Sequence, residues 1–174
     1  MIVLMIILIA LLTVADQLIK VWAVNELAGG PSREFIKIAG KEIVNLTYTE
    51  NQGAAFSIMS GKQWFTVGFA TVALIIFAVY IIRNYRNSRP AMIFSAMVVS
   101  GGIGNLIDRF RIGYVVDYIE LKVFRFAIFN FADVCVTAGI FLLMVYVLFF
   151  YGRRINKTSN ETSVTSGEGT PDER

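Results

Sequence analysis

The chain holds five aspartates (Asp16, Asp108, Asp117, Asp133 and Asp172), one cysteine (Cys135) and no histidine. Without an imidazole, Ser-His-Asp and Cys-His pairs and histidine-ligated metal centres are excluded. Cys135 has no second thiol to pair with and reads as a small buried hydrophobe. Carboxylate chemistry remains: proton transfer, or a metal held by carboxylates alone, which the sequence supports weakly. Asp16-Gln-Leu-Ile-Lys20 sets acid and base one helical turn apart, where they can neutralise each other. Asp108 follows Asn105 by three residues and precedes Arg109; Asp133 follows Asn130 by three. A helix-end network or an N-terminal cap would account for these two as well as contact with a substrate would. Asp117 stands in Tyr-Val-Val-Asp-Tyr-Ile, apolar on both sides.

The elements that must position these residues belong to a membrane. Of the 174 residues 56% are hydrophobic and 17% charged, and the mean hydropathy is +0.62. Soluble domains are about 45–50% apolar and about 25% charged. About 20 apolar residues cross the hydrocarbon core, and four stretches qualify, at approximately residues 1–24, 63–82, 91–107 and 131–151. The first lacks a basic start, and an aspartate follows its apolar core, so an uncleaved anchor is expected rather than a signal peptide. The expected fold is an all-α, four-helix membrane bundle, one unit over residues 1–151, with a disordered cytoplasmic tail over 152–174. The link Arg83–Pro90 carries three arginines and no acid, and Arg153, Arg154 and Lys157 open the tail. The positive-inside rule then puts both termini in the cytoplasm. The same rule explains the net charge of +3 without nucleic acid as a partner. Glu34–Ile38 and Glu42–Thr49 flank a glycine turn and read as strands, and Tyr114–Phe129 is similarly β-branched and aromatic. A small sheet of extracytoplasmic loops on the outer membrane surface follows.

Threaded through this topology, Asp16, Asp108, Asp117 and Asp133 all arrive at the outer face of the membrane. Four separate pieces of sequence deliver them. A charge at mid-helix costs about 2.5–3.5 kcal/mol on insertion scales, so each needs a partner or a purpose. Gly101, Gly102 and Gly104 allow close helix contact; no Gly-Lys-Ser/Thr follows, so they form no phosphate loop.

Five segments in order carry a resemblance: Asp16-Gln-Leu-Ile-Lys20, Asn51-Gln-Gly-Ala-Ala-Phe56, Gly101-Gly-Ile-Gly-Asn-Leu-Ile-Asp-Arg109, Val115-Val-Asp-Tyr118 and Phe129-Asn-Phe-Ala-Asp133. Together they resemble the lipoprotein signal peptidase family, bacterial signal peptidase II, over residues 1–151. The resemblance implies an intramembrane aspartyl endopeptidase of the bacterial inner membrane. Such an enzyme removes the signal peptide of a diacylglyceryl-modified prolipoprotein, cutting before the lipidated cysteine. It implies Asp117 and Asp133 as the catalytic pair. Asn51, Gly53, Asn105, Arg109 and Asn130 match positions that line the substrate site or hold the pair, while Asp16, Lys20 and Asp108 are supporting. No cofactor or metal is implied; the partners are the prolipoprotein and membrane lipid, and a monomer is expected. Two close carboxyls share one proton, so one can activate water while the other donates to the scissile carbonyl. Two rivals stand beside this reading. A proton relay or transporter would spread ionisable groups across the bilayer; a non-enzymatic scaffold would tolerate Asn at 117 and 133.

Overall fold

The computed structural model describes residues 2–53, 63–84, 88–124 and 126–151. Arg86, Ala54-Ala55-Phe56 and the expected tail lie outside the described residues.

Helix α1 (Ile2–Leu27) is a run of aliphatic residues with no glycine or proline. It leads into a hairpin of β1 (Arg33–Ile38) and β2 (Lys41–Asn51). Helices α2 (Gln63–Asn84) and α3 (Arg89–Arg111) follow, then β3 (Val115–Leu121) and α4 (Phe131–Tyr146), which continues as a π-helical turn over Val147–Tyr151. The Ser88 side chain starts α3 by accepting the Ala91 N–H at 3.4 Å, with Pro90 in the first turn, where a missing N–H costs nothing. Its end is set by the Ile112 N–H on the Asp108 carbonyl at 2.8 Å and by Gly113 at φ 86. The helix thus runs past residue 107, and Asp108 lies inside its last turn rather than beyond it.

Among the described residues, three helices are long and apolar enough to cross a membrane: α1, α3, and α4 with its π turn (Phe131–Phe149). In α2 the apolar stretch is Thr71–Tyr80. The expected count of four spans is therefore met by three.

Helix α3 is the hub and packs on α1, α2 and α4. Its buried face carries Ala91, Ser95, Ala96, Ser100, Gly101 and Gly104. Small residues let helices approach closely where lipid supplies no hydrophobic drive to associate. At Gly101 a Cβ would collide with the Ala132 carbonyl of α4, and at Gly139 of α4 it would lie 2.7 Å from the Phe94 carbonyl of α3. The α3–α4 crossing needs glycine on both sides.

The expected sheet is present, antiparallel in the order β1-β2-β3. Ile38 pairs with Lys41 across Ala39 (φ 49) and Gly40 (φ 80), the two left-handed residues of a type I′ turn. Thr49 faces Asp117, and Asn51 faces Val115. Phe129 closes on Ile119 through N–H···O bonds of 2.8 and 3.1 Å, which brings the start of α4 against β3. Ala23 and Leu27 of α1 pack with Val116 and Tyr118 beneath the sheet, while Met5, Met92, Ala96 and Val99 fill the opposite end.

Candidate active site

Four elements, β2, β3, α3 and α4, converge where the sheet meets the helix ends. Register with β2 places Asp117 beside the end of that strand, where Asn51 sits. Asn130 caps α4: its Oδ1 accepts the Asp133 N–H at 3.0 Å, and the Asp133 Oδ2 accepts the Asn130 N–H at 3.2 Å. This reciprocal box satisfies otherwise orphaned N–H groups. It also fixes Asp133 at a helix N-terminus, where a carboxylate is favoured.

Asn130, fully buried, joins the two acids. Its Nδ2 donates to the Asp117 Oδ1 at 2.6 Å, while its backbone N–H holds Asp133. The other Asp117 oxygen accepts from the Asn51 Nδ2 at 2.9 Å, and the Asp133 Oδ1 accepts from the Asn105 Nδ2 at 2.8 Å. The Asn51 Oδ1 accepts the Gly53 N–H at 3.0 Å. Arg109 donates to the Asn105 carbonyl at 3.1 Å and the Gly53 carbonyl at 3.0 Å, fastening the end of β2 to α3. Asn51, Gly53, Asn105, Arg109 and Asn130, each expected from sequence, therefore form one hydrogen-bonded group with Asp117 and Asp133.

Asp117 is 1% exposed. Burial pushes its carboxyl from the ordinary 3.8 up to about 7; the Asn51 hydrogen bond opposes the rise, and the charge of Asp133 adds to it. A group poised near neutrality can gain or lose a proton at little cost.

The supporting residues lie one layer deeper. Lys20 bonds Asp16 at 3.0 Å and Asp108 at 2.9 Å, so it does more than neutralise the acid one turn away. Its third N–H goes to the Asn105 Oδ1 at 2.9 Å. Gln17 escaped the sequence reading although it is a polar residue inside an apolar run. Its Nε2 donates to the Asp108 Oδ1 at 3.0 Å and the Gly104 carbonyl at 3.2 Å. Tyr118 was missed too: its hydroxyl accepts the Phe131 N–H at 3.2 Å, as α4 begins.

A cavity of about 670 Å³ opens against this group. Asn51, Asn105, Arg109 and Asp133 form its polar wall. Phe126, Phe129, Val136 and Phe141 are among its apolar lining. Asp117 stands behind that wall, bonded to Asn51. The aromatic lining was hidden in the sequence, where phenylalanine is scattered through the last three apolar stretches. Among the described residues, no cluster of three or more carboxylate, thiol or imidazole groups could hold a metal ion.

Comparison with known proteins bears on this geometry. The family described as signal peptidase (SPase) II matches residues 8–149. A lipoprotein signal peptidase of Streptococcus agalactiae serotype Ia is 41% identical over 135 residues, 78% of this chain and 85% of its own. One from Streptococcus pyogenes serotype M2 is 43% identical over 136 residues, 78% of this chain and 86% of its own. Two bacterial membrane enzymes solved by the in meso method share the fold. One, solved at 2.3 Å resolution, has a TM-score of 0.75 at 26% identity, covering 98% of this chain and 94% of its own. The other, at 1.9 Å, has a TM-score of 0.72 at 29% identity, covering 84% and 93%.

Proposed function

The chain belongs to the signal peptidase II family and is a peptidase, and on that premise we propose that Asp117 and Asp133 cut the signal peptide from diacylglyceryl-modified prolipoproteins, just before the lipidated cysteine. The observation that carries this reading is Asn130, which bonds both carboxylates, Asp133 on the cavity wall and Asp117 just behind it.

The pair shares one proton, since two close carboxyls cannot both ionise cheaply. The ionised member removes a proton from a water molecule as its oxygen attacks the scissile carbonyl carbon. The protonated member donates to the carbonyl oxygen. Collapse of the tetrahedral species breaks the C–N bond, and the leaving amine takes a proton from the pair. Arg109, Asn51 and Asn105, which line the cavity, orient the peptide, while Asn130 holds the pair. From Asp133 to Phe141 the cavity follows α4 for about 12 Å, room for an apolar part of the substrate.

In the membrane, α2 serves as the fourth span; its 22 residues reach about 33 Å, enough for the hydrocarbon core. Both termini lie on the cytoplasmic side, and the sheet and Asp pair face the outer leaflet. This orientation rests on the arginines of the α2–α3 link.

The test is cleavage of a diacylglyceryl-modified precursor peptide by the detergent-purified protein. The expected product begins at the lipidated cysteine, and Asp117→Asn and Asp133→Asn bind the peptide without cutting it. Cutting by both single variants at the unmodified rate would end the assignment.

A further inference from the structure

Beneath the two aspartates, three charged side chains from two helices are buried together. Asp16 and Asp108 are each 1% exposed and Lys20 is 3%. Burying an ion pair is weak support for stability, because desolvation offsets much of the attraction. Their remaining bonds give a reason to keep them. The Asp108 Oδ2 accepts the backbone N–H of Val116 at 3.3 Å, and Val116 immediately precedes Asp117. The Asp16 Oδ1 accepts the backbone N–H of Ala132 at 3.0 Å, and Ala132 immediately precedes Asp133. Each buried acid therefore grips the peptide unit next to one member of the pair. The Lys20 ammonium links the two grips, and its third N–H, on the Asn105 Oδ1, turns the other end of that amide toward Asp133.

We propose that Asp16, Lys20 and Asp108 are positioning residues that act as a yoke, setting the separation and mutual orientation of Asp117 and Asp133 through the backbone at Val116 and Ala132. None of the three touches the substrate. The proposal rests on the aspartyl-pair reading above. It accounts for why α1, which contributes no residue to the cavity wall, carries an acid and a base deep in its apolar run.

Replacing Lys20 alone would strand two buried carboxylates and destabilise the protein for that reason. The informative variant is the neutral triple Asp16→Asn/Lys20→Met/Asp108→Asn, which removes the linking charge and leaves no charge unpaired. Its cleavage of a diacylglyceryl-modified precursor peptide is measured against pH, alongside Asp117→Asn and Asp133→Asn. The expected result is a kcat lower by about 100-fold, the scale of a misplacement near 1 Å, with KM within about twofold. The two limbs of its pH profile draw together, as carboxyls that have moved apart couple less. A triple variant with unmodified kcat and limbs would overturn the yoke while leaving the pair intact. Activity retained by both pair variants would instead overturn the aspartyl reading beneath it. Should the triple variant not fold, Asp108→Asn and Asp108→Ala are compared. The amide keeps an acceptor for the Val116 N–H, so its kcat is expected about tenfold above that of the alanine variant, and equal values would overturn the proposal.

Discussion

At one end of the bundle, Met5 of α1 meets Met92, Ala96 and Val99 of α3 in an apolar cluster. At the other end the same two helices meet through Asp16, Lys20 and Asp108, with Gln17 bridging the acids. The first contact relies on shape, since methionine and alanine leave no polar group unsatisfied and any filling of similar volume would serve. The second is held by directed bonds to particular backbone N–H groups, and an apolar filling would leave those groups unpaired. On the proposed function, stability and chemistry are thus separated along the helix axis. The contact that is costlier to bury lies beside the proposed pair, Asp117 and Asp133.

The strongest way to break this division is a pair of substitutions, one at each end. Asp117→Asn is expected to lower cleavage by about 10³-fold or more, the scale of a lost general acid or base. Its thermal midpoint should shift little, because the pair already holds one proton and the amide keeps the shape of a protonated Asp117. Met92→Ala at the other end is expected to cost about 2 kcal/mol of stability through the cavity left behind. Cleavage per folded molecule stays unchanged. The checks are thermal melts and rates normalised to folded protein; a Met92→Ala variant that folds yet cuts slowly would show that the two ends are coupled.

Arg109→Lys tests the polar end with the charge kept. Lysine loses the planar fork that holds the Asn105 and Gly53 carbonyls together. A fall of about tenfold in kcat/KM is expected, the scale of one charge-assisted bond, and unchanged kinetics would remove Arg109 from the peptide-orienting role.

The glycines sharpen the comparison further, because both lie on the same α3–α4 crossing. Gly101→Ala drives a methyl into the Ala132 carbonyl beside Asp133, and Gly139→Ala drives one against the Phe94 carbonyl, nearer the other end. Each is expected to cost about 1–3 kcal/mol of stability. Cleavage per folded molecule should drop several-fold for Gly101→Ala only.

Much of this was legible in the chain. Apolar runs interrupted by Asp16, followed by Asp108 or opened by Asp133 marked the helices and put acids at their sheet-side ends. The alternation around Gly40 gave the hairpin. Three features resisted, each for a physical reason. The apolar stretch at about residues 91–107 stops at Asp108, yet Asp108 is polar and buried, held by Lys20, so the helix continues. The grips on Val116 and Ala132 are bonds to backbone N–H groups, which leave no mark on residue type. The cavity wall uses phenylalanines, and a membrane protein places that residue in too many other settings for it to stand out.

The smallest expected effect concerns the proton itself. Asp117 faces Lys20 of α1, Arg109 of α3 and Asp133 of α4, and burial still dominates, holding its carboxyl at about 7. As pH rises through that value Asp117 ionises, the pair loses its one proton, and cleavage should fall on an alkaline limb near neutrality. Stability follows the same sign. The folded protein keeps a proton that the unfolded chain releases above 3.8, so this contribution shrinks as pH climbs from there to about 7 and is absent beyond it. The Asn51 Nδ2 at 2.9 Å favours the ionised form. Removing it in Asn51→Ala should therefore move the alkaline limb to higher pH, by about one unit or less for one neutral hydrogen bond. The limb is read from kcat/KM across pH with the lipidated precursor peptide. A limb that stays in place, or moves to lower pH, would mean that the titrating group is one Asn51 does not touch.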